Sequence, residues 1–324
     1  MLRRKTATAE TRTTNRFRMR ARSPGLLVLG TLAMLAITAV HAGADPLPDG
    51  ATILDKYVEV TGGRAAHERL YNRVSKVRVI HPEMGFEDTM VVYRAEPNHE
   101  FLEIESDALG SIKQGVYGNI AWVWNLQTEP MVEEGEALAA ALDRAAFDLI
   151  VNWRKYYKEV KCVGEETVGG KACYKVVLAP NHGEPETRYY DKASNLMVRA
   201  KITRLFTNMP SMPVEMTLSD YRAVDGVLLP HRIEQQFEQC GSTRERVLVT
   251  TTIEHNVELP PDRFLPPKSV LAKALALQTS SALKTAFSGA EAKGSEPARP
   301  PCGAKKSTAG TGAAGGKRSP CGGG

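Results

Sequence analysis

Apolar and polar side chains alternate through two long blocks of the sequence, and this period of two is the strongest constraint on how the chain can fold. The first block runs over residues 74–124 and the second over residues 160–253. Since residues two apart lie on the same face of a β-strand, both blocks predict half-buried strands with one apolar face. The apolar positions that share a face are Met90/Val92, Leu102/Ile104, Ile112/Val116, Trp122/Trp124, Tyr174/Val176/Leu178, Leu196/Val198/Ala200/Ile202, Val214/Met216/Leu218, Ile233/Phe237 and Val247/Val249/Ile253.

Residues suited to tight turns separate the strands of the second block. Each turn contains residues that tolerate a positive φ or bond their own backbone, as β-hairpin connections require. These residues are Gly169 and Gly170, Asn181, His182 and Gly183, Ser194 and Asn195, and Asp225 and Gly226. We count about 10–11 strands in hairpin order, so the chain is predicted to be α+β, mostly β, with an antiparallel sheet.

A long helical pattern over residues 136–157 lies between the two blocks. Its apolar residues recur at steps of three or four, which places them on one face of a helix. Further apolar residues widen this stripe beyond the roughly 100° that a helix on a flat surface needs. We expect the helix to fill the concave side of a curved sheet; a helix on one face of an ordinary sheet is the alternative. The stripe consists of Leu138, Leu142, Ala145, Leu149, Trp153 and Tyr156.

The first 44 residues have the order of a secretory signal. Eight basic residues precede an uncharged apolar run over residues 25–40, and the small residues Ala42 and Ala44 follow. The run is shorter than the ~20 residues that a membrane-spanning helix needs, so a cleaved signal is favoured over an uncleaved anchor. The chain is therefore predicted to be exported.

The basic character of the chain belongs to this leader. The sequence has 42 Lys and Arg residues against 37 Asp and Glu residues. Eight of the basic residues and one acidic residue lie in the leader, which leaves 34 basic and 36 acidic residues and a net charge of −2. A nucleic-acid-binding domain needs a basic face, so no nucleic-acid partner is predicted.

Residues 45–266 are long enough for one β-rich domain with a substantial core. Residues 53–58 carry apolar side chains on one face of a short helix, which a pair of glycines is expected to end. After two Pro-Pro pairs, residues 267–288 are predicted to form another short helix. Residues 289–324 are rich in Gly, Ala and Lys and are predicted to be a disordered tail.

The sequence contains no catalytic motif of a common enzyme class. Its seven histidines have neither mutual spacing nor neighbours typical of metal ligands. We therefore predict a protein that is not an enzyme, with no metal and no cofactor. A hydrolase with an unrecognised site is the alternative.

The hairpin turn at residues 169–170 gives an expectation for two cysteines. In a two-residue turn, Cys173 faces Glu166 and Cys162 faces Val177, so the two thiols are four residues out of register. The rise of a strand then separates them by about 13 Å, which no disulfide spans. We predict that they do not bond to each other.

Five short motifs mark turns and strand positions of one fold. They are ILDKYV with TGG over residues 53–63, PETRYYD over 185–191, LMVR over 196–199, DYR with DGVLLP over 220–230, and NVELP with Phe264 over 256–264. Together they resemble the LolA-like family of periplasmic outer-membrane lipoprotein-sorting proteins. The resemblance covers about residues 50–266.

The resemblance implies a curved, half-open antiparallel β-barrel with helices on its concave face and a hydrophobic cavity, which in LolA-like proteins takes acyl chains. It implies a periplasmic carrier or binding protein for lipoprotein acyl chains or other hydrophobic cargo. Its partners would be lipidated proteins or lipids, with an inner-membrane donor and an outer-membrane acceptor. An envelope sensor or scaffold with the same fold is the alternative. The residues predicted to contact cargo are Met90, Val92, Leu102, Ile104, Trp122, Trp124, Leu142, Leu149 and Trp153.

Overall fold

The computed structural model describes residues 46–107, 110–239 and 241–291. The predicted signal and nearly all of the predicted tail lie outside the described residues. Within the described ranges the chain forms four α-helices, thirteen β-strands and a 3-10 turn. None of the helices described there is both long and apolar enough to cross a membrane.

The helices are short except for the last. They are α1 (Gly50–Val60), α2 (Gly63–His67), α3 (Gly135–Ala145) and α4 (Lys268–Glu291), and the 3-10 turn covers Trp153–Lys155. The strands are β1 (Asn72–His81), β2 (Phe86–Ala95), β3 (His99–Ser106), β4 (Gly110–Tyr117), β5 (Ile120–Asn125), β6 (Met131–Val132), β7 (Tyr157–Val168), β8 (Lys171–Pro180), β9 (Glu186–Asp191), β10 (Met197–Phe206), β11 (Met209–Val224), β12 (Val227–Gln239) and β13 (Ser242–His255). The predicted helix over residues 267–288 thus corresponds to α4, which has 24 residues.

All thirteen strands belong to one antiparallel sheet with the order β6-β5-β4-β3-β2-β1-β13-β12-β11-β10-β9-β8-β7. Each hairpin pairs neighbours along the chain, and β1 joins the first block to the last strand by pairing with β13. β6 and β7 are the two edges, so the sheet is not closed. The prediction of a mostly β, curved and half-open antiparallel fold is confirmed, with thirteen strands in place of about ten or eleven.

The predicted turn residues adopt the backbone conformations that their chemistry allows. Gly169 and Gly170 have φ of 55° and 78°, and Asn195 has φ of 57°. Asp225 has φ of 52° in the turn between β11 and β12. The cap of α1 packs against that turn, because a Cβ on Gly62 would lie 2.3 Å from a carbonyl oxygen of the turn. Glycine is therefore required at this position.

The two faces of the sheet are covered by different helices. On the concave face, Val116 and Ala121 pack against α3, and Val176 and Leu178 pack in the cluster that contains α1. On the convex face, Phe101 and Trp122 pack with Phe264 and with Val270 of α4. The predicted placement of helices on the concave face therefore holds for the elements before β7, whereas α4 lies on the other side.

The helix predicted over residues 136–157 is wrong in its second half. α3 ends at Ala145, and Ala146 leaves the helical region with φ −54° and ψ 125°. The N–H of Phe147 donates to the Pro97 carbonyl at 2.9 Å instead of continuing the helix. The chain between α3 and β7, residues 146–156, crosses the concave side as turns, and we call it the covering segment.

The cysteine hairpin follows the predicted register near its turn and departs from it further away. Cys173 pairs with Glu166 as expected, but an irregularity between Cys162 and Gly164 brings Cys162 opposite Val176. This bulge adds one residue to β7, which pattern counting does not reveal. Both cysteines are free thiols, as predicted.

Candidate ligand-binding cavity

A cavity of about 860 Å³ lies between the concave face of the sheet and the covering segment. This volume is within the roughly 300–1,000 Å³ that is typical of small-molecule pockets. The cover consists mainly of side chains from the second half of the predicted helix. Those lining the cavity are Phe147, Leu149, Ile150, Trp153 and Tyr156.

Strands β10, β11 and β12 supply an apolar floor. Ala200 pairs with Met216, and Leu218 pairs with Ile233, so side chains from adjacent strands meet on the concave face. The period-two pattern of these strands thus produces a continuous apolar surface. The floor consists of Met197, Ala200, Ile202, Met216, Leu218, Val227, Leu229 and Ile233.

A single carboxylate on α1 attaches to the 3-10 turn of the covering segment. The indole N–H of Trp153 donates to Asp55 at 3.2 Å, and both terminal nitrogens of Arg154 donate to Asp55 at 2.8 and 2.7 Å. The Arg154 guanidinium also lies 4.1 Å from the centroid of the Trp153 ring. The hydrogen bond from Arg154 lowers the pKa of Asp55.

α2 attaches to the middle of the same segment. Arg64 donates to the carbonyl of Val151 at 2.6 Å and to the side-chain oxygen of Asn152 at 3.0 Å. Asn152 in turn donates to Asp148 at 2.9 Å, and the Tyr156 hydroxyl donates to the same carboxylate. Polar contacts near the surface and the packing of apolar side chains therefore both hold the covering segment in place.

Basic side chains form a row across one wall of the cavity. Arg73 in β1 is the register partner of Arg94 in β2 and of His255 in β13, and all three line the cavity. His255 bonds to Asp225 at 2.9 Å, and Nε of Arg94 lies 3.3 Å from a Glu100 oxygen. Among the described residues, the Arg73 side chain makes neither a hydrogen bond nor an ion pair. Burial, and next the charge of Arg94, lower the pKa of Arg73 to about 10.

Further arginines extend this positive region on the concave face. Arg144 of α3 lines the cavity and is exposed to solvent; partial desolvation lowers its pKa, although the charges of Glu100 and Glu186 oppose this. Burial lowers the pKa of Arg204 to about 10, and the Arg144 charge acts in the same direction. Arg246 donates to Gln235 at 2.6 Å, a neutral partner that does not offset its charge.

Arg188, which also lines the cavity, has local partners that Arg73 lacks. Its guanidinium donates to Glu186 at 2.7 Å and to the Tyr157 hydroxyl. Burial raises the pKa of Tyr157 to about 12, so this phenol stays neutral at physiological pH. The charge of Arg188 is therefore balanced within the wall.

Two of the nine residues predicted to contact cargo, Leu149 and Trp153, line the cavity. Leu142 of α3 packs instead against the cluster that contains Val116 and Ala121. The other concave-face candidates form a separate cluster with Val77 and Val79, so the structure does not bring them to the cavity. They are Met90, Val92, Leu102 and Ile104.

Trp122 and Trp124 lie on the convex face, in the cluster beneath α4. The expectation that they share an interior with Leu149 is wrong, because Ala121 is the residue of β5 that faces α3. Adjacent residues of a strand point to opposite faces, and the period-two pattern alone does not say which face is concave. Contact between cargo and Leu149 or Trp153 remains a prediction.

The arginines of the cavity wall are not among the residues predicted to contact cargo. A signal for them exists, because Arg94 continues the face of Met90 and Val92, and Arg73 continues that of Val77 and Val79. A basic residue at an apolar-face position of a strand indicates a buried charge. No group of His, Cys, Asp and Glu suited to a metal ion occurs in the described part of the chain.

No protein-family model matches this chain, and no curated protein matches it significantly. Among solved structures it is similar to a DUF1329 family protein from Desulfovibrio piger, with a TM-score of 0.46 and 14% identity over 67% of this chain and 98% of the other. A LolA superfamily protein from Nitrosomonas europaea aligns with a TM-score of 0.45 and 13% identity over 68% and 99% of the two chains. An outer membrane lipoprotein-sorting protein domain from Vibrio parahaemolyticus aligns with a TM-score of 0.43 and 11% identity over 65% and 97%. All three alignments have TM-scores below 0.5 and identities below 15%.

Proposed function

We propose that this chain binds the apolar part of a lipid or of a lipidated protein in the cavity and acts as a carrier rather than as an enzyme. The observation that carries the proposal is the cavity of about 860 Å³ between an apolar floor and an apolar cover. An acyl chain in this space is removed from water on both sides. Transfer of apolar surface out of water supplies the binding free energy.

The construction of the cover supports reversible binding. The covering segment has little regular secondary structure, and contacts from Asp55 and Arg64 hold it to α1 and α2. The side chains of Asp55 and Arg154, which form an ion pair, are each about half exposed. Exposed ion pairs contribute only about 0.2–1 kcal/mol, so the cost of opening the covering segment is set mainly by its buried side chains, such as Trp153 and Tyr156. An opening of this kind admits a ligand without unfolding the sheet.

Displacement of a fluorescent fatty acid from the delipidated protein tests the proposal. The wild type should bind the probe saturably, and Leu149→Trp should lose binding by about tenfold or more, because the indole fills space that the chain would occupy. Leu126→Trp is the matched control, since Leu126 is 76% exposed and lies outside the cavity lining. It should bind as the wild type does.

Thermal unfolding of the same variants separates blocked binding from lost structure. Leu149→Trp should unfold within a few degrees of the wild type. Absence of saturable binding by the wild type would refute the proposal, and so would unchanged binding by a folded Leu149→Trp protein.

We further propose that the chain works in the periplasm, with membrane-bound partners that deliver and accept its cargo. The basic and then apolar order of residues 1–44 supports export. Sequencing the amino terminus of the protein isolated from the cell envelope tests this proposal. A mature start near residue 43 or 45 is expected, and an intact Met1 on membrane-bound protein would indicate an anchor instead.

A further inference from the structure

We propose that the ligand is an anionic amphiphile whose oxyanion head group binds to Arg73, with Arg94 and Arg144 beside it, while its apolar chain lies on the floor formed by β10, β11 and β12. The inference rests on the proposed function, because it names the chemistry of the molecule that the cavity accepts. It assigns the row of basic residues to the head group.

No described residue of the fold bonds to the Arg73 side chain, so contacts within the fold do not explain its position. Arg73 stands directly opposite Arg94 across β1 and β2, and like charges in that position destabilise a sheet. Its other register partner, His255, is already bonded to Asp225. The nearest carboxylate that acts on Arg73 is Glu100, which is already paired with Arg94, so the half-buried Arg73 has no bonded counterion and a bound anion would supply one.

Arg188 shows what a structurally satisfied arginine looks like in the same cavity. It bonds to Glu186 and to Tyr157, and its side chain needs no further anion. Arg94 is intermediate, because one terminal nitrogen donates to the Arg144 carbonyl at 3.0 Å while Nε faces Glu100. Among the described residues, the side chains of Arg73 and Arg144 both make neither a hydrogen bond nor an ion pair, and Arg73 is the less exposed of these two cations of the wall.

The positions of the basic row and of the floor fit the two ends of an amphiphile. The row occupies β13, β1 and β2, whereas the floor occupies β12, β11 and β10. Strands in a sheet lie about 4.8 Å apart, so Arg73 is roughly 14 Å from the strand that carries Met216 and Leu218. A head group at the row leaves a chain of several methylene groups lying across the floor.

The guanidinium group restricts the head group to an oxyanion. Its planar donors match the two oxygens of a carboxylate or of a phosphate, and such charge-assisted bonds are among the stronger ones in proteins. A fatty acid and a monoacyl phosphate share this chemistry. A neutral alcohol of the same chain length does not have it.

Displacement of the fluorescent probe by dodecanoate, dodecyl phosphate and dodecanol tests the inference. The wild type should bind the two anions about tenfold or more tightly than dodecanol, since hydrogen bonds to charged groups contribute at least this much. In Arg73→Gln the ratio of the affinity for the anions to the affinity for dodecanol should fall to near one. Arg78→Gln is the matched control, because Arg78 lies in the same strand, is exposed, and pairs with Glu87 on the opposite face.

Three outcomes distinguish the inference from the function on which it rests. Equal affinity of the wild type for all three amphiphiles overturns the inference and leaves the carrier function standing. A preference for anions that persists in Arg73→Gln also overturns it. Absence of binding by all three overturns the proposed function and this inference together.

Two further measurements guard against trivial explanations. Arg73→Gln should unfold at the same temperature as the wild type or higher, because the change removes a half-buried charge that has no bonded partner; a large decrease would mean that Arg73 has a structural partner. Arg73→Lys keeps the charge without the planar fork, and it should retain part of the preference. Preference for dodecanoate over dodecyl phosphate, or the reverse, then identifies which oxyanion the wall fits.

Discussion

The convex and concave faces of this sheet are built from alternate residues of the same strands, yet they pack differently. On the convex face Trp122 is 2% exposed and Val270 of α4 is 0% exposed, in a cluster with Phe101 and Phe264. On the concave face the covering segment leaves a cavity of about 860 Å³ above an apolar floor. The convex cluster is closed, whereas the concave face has both a closed cluster around Leu178 and an open cavity.

The difference lies in what covers each face. α4 is a regular helix that presents Val270 to the aromatic cluster, and large rings fill the space beneath it. The covering segment leaves helical geometry at Ala146, and its polar groups bond to α1, α2 and one another. An alternating strand pattern therefore specifies two apolar faces but not how tightly either is filled.

Truncation on the convex face should give the largest loss of stability. Trp122→Ala removes a nearly fully buried ring and should lower the free energy of unfolding by about 3–5 kcal/mol, as core aromatic truncations do. Chemical denaturation measures this change in the free energy of unfolding. Amphiphile binding by the folded fraction should persist, and a loss below ~1 kcal/mol would show that the convex core is not tightly packed.

The corresponding truncation at the cavity should be smaller. Leu149→Ala should cost less than the about 2–5 kcal/mol of a core leucine, because a side chain at a cavity already lacks neighbours on one side. Leu178→Ala, at a position that is 0% exposed, is the matched control and should show the full loss. Equal losses for the two variants in denaturant titrations would mean that Leu149 is ordinary core.

Release of the cover at Asp55 should have the smallest effect on stability. Asp55→Asn weakens the contact with Arg154 and should lower the free energy of unfolding by roughly 0.2–1 kcal/mol, as for exposed pairs. Ligand dissociation, measured by stopped-flow fluorescence, should become faster because the cover opens more often.

The same pair gives a pH dependence of known sign. The pKa of Asp55 is lower in the folded protein than its ordinary value of 3.8. The contribution of the ionised Asp55 to the free energy of unfolding is therefore fully present at pH values above 3.8. It disappears as the pH falls through the lowered folded-state pKa. The difference between wild type and Asp55→Asn should therefore be constant near neutral pH and vanish in strong acid; a difference that grows with acidity would contradict this assignment.

The strands and turns were predictable because their signals are local. Gly169, Asn195 and Asp225 fix hairpins through their own backbone preferences, and alternation marks each strand between them. The end of α3 was not predictable, because the apolar spacing of Leu149 and Trp153 is also compatible with a helix. Distant groups, the Pro97 carbonyl and the Arg94 guanidinium, bond to the backbone where the helix stops.

The candidate site depends on which face of each strand is concave, and that is set by tertiary packing. For this reason the pattern predicts the wrong side for Trp122, and it does not distinguish the apolar floor of β10 to β12 from the apolar faces of the other strands. The row of basic residues that includes Arg73 could be predicted from the sequence only in part. Strand alternation places Arg73 on an apolar face, but its position opposite Arg94 follows from the register of the β1–β2 hairpin.

The two unpaired edges of the sheet also bear on aggregation. An open sheet offers its edge strands to other chains, and proteins limit this by short, irregular, charged or covered edges. β6 has two residues, and β7 is bulged and carries charges such as Lys158 and Lys161. α1 begins against β7 so closely that a Cβ on Gly50 would lie 2.8 Å from the Val160 carbonyl oxygen. Both edges of the open sheet therefore have features that limit pairing with another chain.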